Sequence, residues 1–337
     1  LANLVARIDD AHRLDEECGA AGGHVVDDAR NLAAIIGLHR DDLATVALGE
    51  QPLLGHPAAD GVGECRLGAL FEPRLGNPAH RVYETPMGML NAIGLQNPGA
   101  DYVIDRILPT LDFTETTFFA NVCGSTIEDY VEVTRRFDES PIDAIELNIS
   151  CPNIKEGGVQ FGNSPDMSAR VVEACRRVTR KPLITKLSPN QTDIRENARR
   201  CIEAGSDALA VINTVMGMAI DVKTRKPVIG NIQGGLSGPA IKPIALLKVM
   251  QVAEVARPHN VPIIGQGGIC SADDALEFII AGATTVGVGT ALFYEPHSCK
   301  RINDGIAAYL AANRMASVGE LIGSLEAPKK SVQACAC

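Results

Sequence analysis

From about residue 116 onward the chain alternates short apolar, β-branched runs with longer amphipathic stretches. The runs are FFANV (118–122), AIELNIS (144–150), PLITKL (182–187), ALAVINT (208–214), VPIIGQG (261–267) and TTVGVGT (284–290). Between them lie TIEDYVEVTRRFDES, PDMSARVVEACRRV, DIRENARRCIEAG, PIALLKVMQVAEVA and ADDALEFIIAG, each with the pattern of a helix. Two of these stretches close on Ala-Gly, a C-cap ahead of the next strand. Strands that are apolar on both faces, each followed by a helix, predict a parallel sheet.

Six such units, with more chain ahead of them, suit either an eightfold α/β barrel or an open doubly wound sheet. Polar and glycine residues decide between the two. Asn121, Asn148, Lys186, Asn213, Gly267, Gly268, Gly289 and Thr290 sit at the C-terminal ends of nearly every predicted strand. In a barrel those ends converge on one mouth, where catalysis sits. An open sheet would need them only on the strands beside its switch point. The expected fold is therefore a (β/α)8 barrel of the TIM type. The last two strands end in GQGGI and GVGTA and lead into helical segments. Glycine lets backbone amides approach an anion, and a helix N-terminus adds partial positive charge, so these two mouths suit a phosphorylated ligand.

The 337 residues, 46% of them hydrophobic, carry a formal charge of -10, which argues against nucleic-acid and anionic-membrane surfaces. No apolar run approaches the roughly 20 residues that cross a bilayer, and the N-terminus lacks the apolar core of a secretory signal. A cytoplasmic protein is expected. The 10 cysteines show no pairing pattern and form no C-x-x-C, so no local zinc or iron–sulfur site is encoded and no metal is expected. Most should be buried, reduced and inert. Cys335 and Cys337 end a KKSVQACAC tail expected to fray in solvent.

The candidate chemistry lies at the predicted mouth. Asn91, Asn148, Asn153 and Asn213 each offer a donor and an acceptor, which together match the edges of a cyclic imide such as a pyrimidinedione. Any one of them reads as an ordinary turn residue; four at one mouth point to a ligand. Lys186 closes an otherwise apolar strand and must find an anion or a polar cavity, unless it snorkels to the rim. Cys151 follows Asn148 in ELNISCPN, and its thiol suits either a nucleophile or a base. A nucleophile should have a histidine partner. Five of the 7 histidines fall within the first 80 residues, and His259 and His297 lie in loops beside predicted helices. A general base acting on an acidic carbon-bound hydrogen fits better, favoured in alkali because a free thiol titrates near pH 8.5.

The motifs ETPMGMLNAIGLQNPG, ELNISCPN, TKLSPN, INTVMGM, GGLSGPAIKP, GQGGI and VGTALF together resemble the dihydroorotate dehydrogenase family, over roughly residues 71 to 320 in unbroken order. The resemblance is to the cytosolic class with a catalytic cysteine, and most of all to its NAD-linked branch. The membrane-associated class would carry serine at position 151 and an N-terminal membrane segment. The resemblance implies a barrel that holds flavin mononucleotide (FMN) and oxidises (S)-dihydroorotate to orotate in pyrimidine synthesis. Cys151 would take the C5 proton while hydride leaves C6 for the flavin. Substrate would be held by Asn91, Ala92, Ile93, Gly94, Leu95, Asn148, Asn153, Asn213 and Thr214. Flavin would contact Asn121, Asn148, Lys186, Ile212, Gly238, Gly267, Gly268, Gly289 and Thr290, with Lys186 stabilising its reduced anion. Val215 to Gly238 would form a loop covering the site. The expected assembly is a homodimer, or a heterotetramer with a subunit carrying FAD and a [2Fe–2S] cluster that passes electrons to NAD.

Residues 1–70 depart from the family pattern, and 321–337 form a tail. No lysine precedes Lys155, although the family's second strand should end in a lysine that touches flavin. Either this stretch is read out of frame or it is divergent; in both cases weak flavin binding is expected. Two other functions belong beside the first. A related flavin barrel could reduce another dihydropyrimidine or dihydrouridine, and a non-catalytic remnant could serve only as a binding partner.

Overall fold

The computed structural model describes residues 47–48, 66–111, 113, 117–149 and 161–326. Most of the atypical N-terminal stretch, the 150–160 segment and the Cys335/Cys337 tail lie outside the described residues.

Along the chain come β1 (Ala47–Leu48), β2 (Arg66–Ala69), β3 (Val82–Thr85), β4 (Gly88–Asn91) and β5 (Phe119–Val122). Then follow helix α1 (Ile127–Asp138), β6 (Ala144–Asn148), α2 (Pro165–Arg176), β7 (Leu183–Leu187), α3 (Ile194–Glu203) and β8 (Ala208–Val211). Four short strands come next: β9 (Val215–Gly217), β10 (Ile220–Asp221), β11 (Lys226–Pro227) and β12 (Gly234–Ser237). The chain ends with α4 (Lys242–Ala256), β13 (Ile263–Gln266), α5 (Ala272–Ala281), β14 (Thr285–Val288) and α6 (Ser298–Ala312). All six apolar runs are strands, and all five amphipathic stretches are helices. Their ends follow local rules. Thr126 and Asp129 form a capping box at the start of α1, as Ser271 and Asp274 do for α5, and α5 stops at Gly282, whose φ of 124° suits glycine.

Eight strands form one sheet in the order β1-β14-β13-β8-β7-β6-β5-β2, and every neighbouring pair is parallel. An all-parallel sheet with helical crossovers is the pattern of an α/β barrel; among the described residues no pairing closes β1 onto β2. The N-terminal stretch supplies both outer strands: β2 pairs with β5 over four residues, and β1 pairs with β14 over two.

Strand alternation divides the core in two. Outward residues such as Val122, Leu147, Leu183, Leu209 and Val286 pack with the helices in one large cluster. Inward residues Phe119, Ala144, Ile184, Ala208, Ala210 and Ile264 form a second cluster inside the barrel. One pleat further along the same inward face the residues turn polar: Asn121 follows Phe119, Glu146 and Asn148 follow Ala144, Lys186 follows Ile184, and Gln266 follows Ile264. The barrel is apolar at its base and polar at its mouth. A cavity of about 830 Å³ also opens at the base, beside Phe119, Ile184, Ala208 and Ile264. Asn91, Asn121, Asn148, Asn213 and Lys186 do not line it; they lie at the other end of the barrel.

The segment from Val215 to Gly238, expected as a covering loop, contains four short strands. β9 and β12 join β3 and β4 in an antiparallel sheet of order β3-β4-β12-β9, and β10 pairs with β11 as a separate hairpin. Strands of two to four residues that include glycines leave no hydrophobic period in the sequence. Their pairing is set instead by the partner strand β4, which is more than a hundred residues away along the chain.

Candidate active site

Lys186 and Glu146 are the least ordinary residues of the interior, at 1% and 0% exposure. Their side chains approach to 4.0 Å, from Lys186 Nζ to Glu146 Oε1. The same carboxylate oxygen accepts a hydrogen bond from Asn121 Nδ2 at 2.7 Å. Asn121 Oδ1 accepts from Asn148 Nδ2 at 3.3 Å and from Cys123 Sγ at 3.5 Å. Asn148 Oδ1 in turn accepts from Asn213 Nδ2 at 3.2 Å, and Asn213 Oδ1 accepts from the Thr214 amide at 2.6 Å. Three buried carboxamides from three strand ends thus form one continuous polar chain, anchored on an ion pair. Burial without partners would be costly for each of these groups, and here each has one.

The antiparallel sheet lies against the Thr214 end of this chain. A side chain on Gly235 would fall on the Thr214 hydroxyl, and the Gly235 carbonyl lies 3.4 Å from Asn91 Nδ2. Asn190 ties this corner down by donating to the Thr214 carbonyl and accepting from the Met216 amide. After Asn91 the backbone passes through Ala92, Ile93, Gly94 and Leu95 with its carbonyls already taken. Asn77 donates to the carbonyls of Ala92 and Ile93, and Arg74 to that of Gly94. The amides of Ile93 and Gly94 have no acceptor among the described residues. A loop with spent acceptors and open donors suits an anionic or carbonyl-bearing ligand.

The glycine set lies around the end of β13. Gly267 and Gly268 have φ of 129° and 89° and Gly238 of 90°, and a Cβ on Gly268 would come within 2.7 Å of the Gly238 carbonyl. Such backbone-on-backbone contact admits only glycine. Thr290, directly after Gly289, donates to the Ser237 hydroxyl at 2.8 Å and so joins β14 to β12. Gln266 exchanges bonds with the Ile212 backbone, which locks the end of β8 against β13.

The structure therefore brings together Asn91–Leu95, Asn121, Asn148, Lys186, Asn213 and Thr214, and seats Ile212, Gly238, Gly267, Gly268, Gly289 and Thr290 around the adjoining strand ends. Cys151 and Asn153 lie outside the described residues. Glu146 and Gln266 were not singled out from the sequence, although the argument that marks Lys186 applies to them. Each is a buried polar side chain on the inward face of a strand whose faces are both covered. Among the described residues no three His, Cys, Asp or Glu gather to hold a metal, and no helix is long and apolar enough to cross a membrane.

Three of the described thiols, Cys175, Cys201 and Cys270, have environments that suppress reactivity. Burial pushes Cys175 up to about 11 and Cys201 up to about 12. Cys270 is also raised, first by burial and then by Asp274. Since thiolate is the reactive form, Cys175 and Cys201 are expected to escape a disulfide reagent at pH 8 until the protein is unfolded. Mass spectrometry of labelled peptides, native against denatured, checks this.

A parallel α/β barrel with a buried cation, an ordered carboxamide chain and a glycine-lined rim at its C-terminal mouth is an enzyme of the barrel class. The family model for dihydroorotate dehydrogenase matches residues 51–310, starting ahead of residue 71, where the motif resemblance begins. Curated relatives named dihydroorotate dehydrogenase B (NAD(+)), catalytic subunit, match about three quarters of the chain. The protein from Trichlorobacter lovleyi is 54% identical over 260 residues, 77% of this chain and 84% of its own. That from Pelobacter propionicus is also 54% identical, with the same coverage. That from Desulforamulus reducens is 50% identical over 258 residues, 76% of this chain and 84% of its own. The chain belongs to the dihydroorotate dehydrogenase family and is an oxidoreductase with a TIM-barrel fold.

Proposed function

We propose that this chain is a cytoplasmic enzyme that oxidises (S)-dihydroorotate to orotate with FMN, in pyrimidine synthesis. The observation that carries the proposal is the polar run from the Thr214 amide through Asn213, Asn148 and Asn121 to the Glu146–Lys186 pair, with Asn91 bonded to the neighbouring Gly235 carbonyl. Carboxamides, which carry both a donor and an acceptor, suit the edge of a cyclic imide, and the run ends on a cation. The residues present also fit a flavin nucleotide. Gly238, Gly267 and Gly268 expose backbone where a side chain would intrude, Thr290 offers a hydroxyl, and Lys186 supplies positive charge.

Bound FMN would supply the acceptor for the hydride that leaves C6 of the substrate. The rest falls to the chain. Asn91 to Leu95 and the amides of Asn148, Asn153 and Asn213 with Thr214 hold the ring and its carboxylate. Cys151, as thiolate, takes the C5 proton; that proton and the C6 hydride are the two hydrogens whose loss leaves the C5=C6 double bond. Lys186 holds positive charge beside the ring system, while Asn121 and Ile212 border it. Because Cys151 must be ionised, turnover should rise towards alkaline pH.

The word "subunit" in the relatives' names supports a partner. In this proposal electrons leave through a subunit carrying FAD and a [2Fe–2S] cluster and reach NAD, within a heterotetramer built on a homodimer of this chain. Recovery of the homodimer alone after co-expression with such a subunit would count against that assembly.

The direct test is anaerobic. The protein is reconstituted with excess FMN, because the divergent N-terminal stretch lacks the family's flavin-contacting lysine and should leave the flavin weakly held. Dihydroorotate should then bleach the visible flavin absorbance with formation of orotate. Bleaching by dihydrouridine or another dihydropyrimidine in place of dihydroorotate would replace this function with that of a related reductase.

A further inference from the structure

We infer that Glu146 is a positioning residue that sets the direction in which the carboxamides of Asn121, Asn148 and Asn213 point. The inference rests on the proposed function for what those carboxamides face, but the arrangement itself is a property of the chain. A side-chain amide can present its oxygen or its NH₂ to a given neighbour, and the two orientations have nearly the same shape. Three such groups in a row can therefore run head to tail in either direction. In this site both ends are fixed by groups that cannot switch roles.

At one end stands Glu146. Its buried carboxylate can only accept, so Asn121 must turn its NH₂ towards Oε1, as observed at 2.7 Å. That places Asn121 Oδ1 against Asn148, which must donate, and Asn148 Oδ1 against Asn213, which must donate again. At the other end the Thr214 backbone amide can only donate, and Asn213 Oδ1 receives it at 2.6 Å. An acceptor-only group and a donor-only group at opposite ends select one of the two directions for all three amides. The same carboxylate oxygen lies 4.0 Å from Lys186 Nζ, so the cation and the amide chain share one anchor. Glutamine at position 146 would have nearly the same shape but could donate as readily as accept. Asn121 could then reverse, and Asn148 would be pulled between Asn121 and Asn213. Thr214 would still pin the far end.

The test compares the wild-type chain with Glu146→Gln and Glu146→Asp. In flavin-free protein, the side-chain amide resonances of Asn121, Asn148 and Asn213 are followed with selective nitrogen labelling. Glu146→Gln should shift all three sets, whereas Glu146→Asp, which keeps an acceptor-only group, should perturb Asn121 most and leave Asn213 near its original position. A Glu146→Gln change confined to Asn121 overturns the inference, because the anchor then does not control the chain. With FMN and dihydroorotate supplied, Glu146→Gln should raise KM by about tenfold, the scale of one misdirected hydrogen bond, with a smaller loss in kcat. Glu146→Asp should recover most of that KM. An unchanged KM with amide shifts confined to Asn121 confirms the overturning. If wild-type protein shows no dihydroorotate turnover, the proposed function falls, and the flavin-free spectra still decide the role of Glu146. Should Glu146→Gln not fold, pairing it with Lys186→Met removes both charges together. The same spectra are then read against Lys186→Met alone.

Discussion

Protein carrying Cys151→Ala is expected to turn over dihydroorotate about 10²- to 10⁴-fold more slowly, the range that a positioned general base contributes. The thiol acts on a carbon-bound proton and contributes little to holding the ring, so KM should change by less than threefold by order of magnitude. Reduction of the bound flavin by dithionite should be unaffected. The strand end at Asn148 and Ile149, ahead of Cys151 in sequence, is firmly held. Cys151 follows Asn148 by three residues, and both backbone carbonyls at that strand end are clamped: Tyr130 donates to that of Asn148 at 2.7 Å, and the Gly162 amide donates to that of Ile149 at 2.8 Å. Cys151→Ser keeps the size but raises the intrinsic pKa of the base, so it should recover little of the rate at neutral pH and more in alkali. Steady-state rates across pH for the three proteins provide the check. Wild-type activity in the alanine variant would remove Cys151 from the chemistry. An active parent with an inactive variant would exclude a non-catalytic remnant.

The parts of this fold that are legible in the sequence are those where a local pattern and a global position agree. PLITKL reads as a buried strand because it is apolar on both faces, and the same background makes Lys186 conspicuous. Glu146 has an equal claim within AIELN, but a glutamate beside Asn148 is easily taken for part of a polar strand end. Only the structure shows it on the inward face with Asn121 and Lys186. The convergence of strand ends on one mouth was readable because it follows from parallel strands with helical crossovers. The antiparallel sheet of β3, β4, β9 and β12 was not, since its strands are short and draw their register from partners far along the chain. β1 and β2 were hidden for a related reason. Ala-Leu and Arg-Leu-Gly-Ala carry no β-branched residue and no alternation, and they are placed by pairing with β14 and β5.

Lys186→Met should produce the largest loss of stability of any change at the site. The side chains are similar in length and the strand is unaltered, so the effect isolates the charge. Removing one member of a buried ion pair leaves the other without compensation and costs about 3–5 kcal/mol, and Glu146 is fully buried. At roughly 2 °C per kcal/mol for a large domain, the thermal midpoint of flavin-free protein should fall by about 6–10 °C. The double variant Glu146→Gln/Lys186→Met separates the two roles of the lysine. Neutralising both partners removes the uncompensated charge, while glutamine can still accept from Asn121, so most of the lost stability should return. Flavin affinity should not return with it, because no cation then faces the ring system. Calorimetry of the flavin-free proteins and FMN titration of the same samples measure the two quantities separately. Recovery of both together would mean that the pair serves only the barrel interior. Recovery of stability alone would show that an apolar mouth is the more stable choice, and that the lysine is kept there for its ligand.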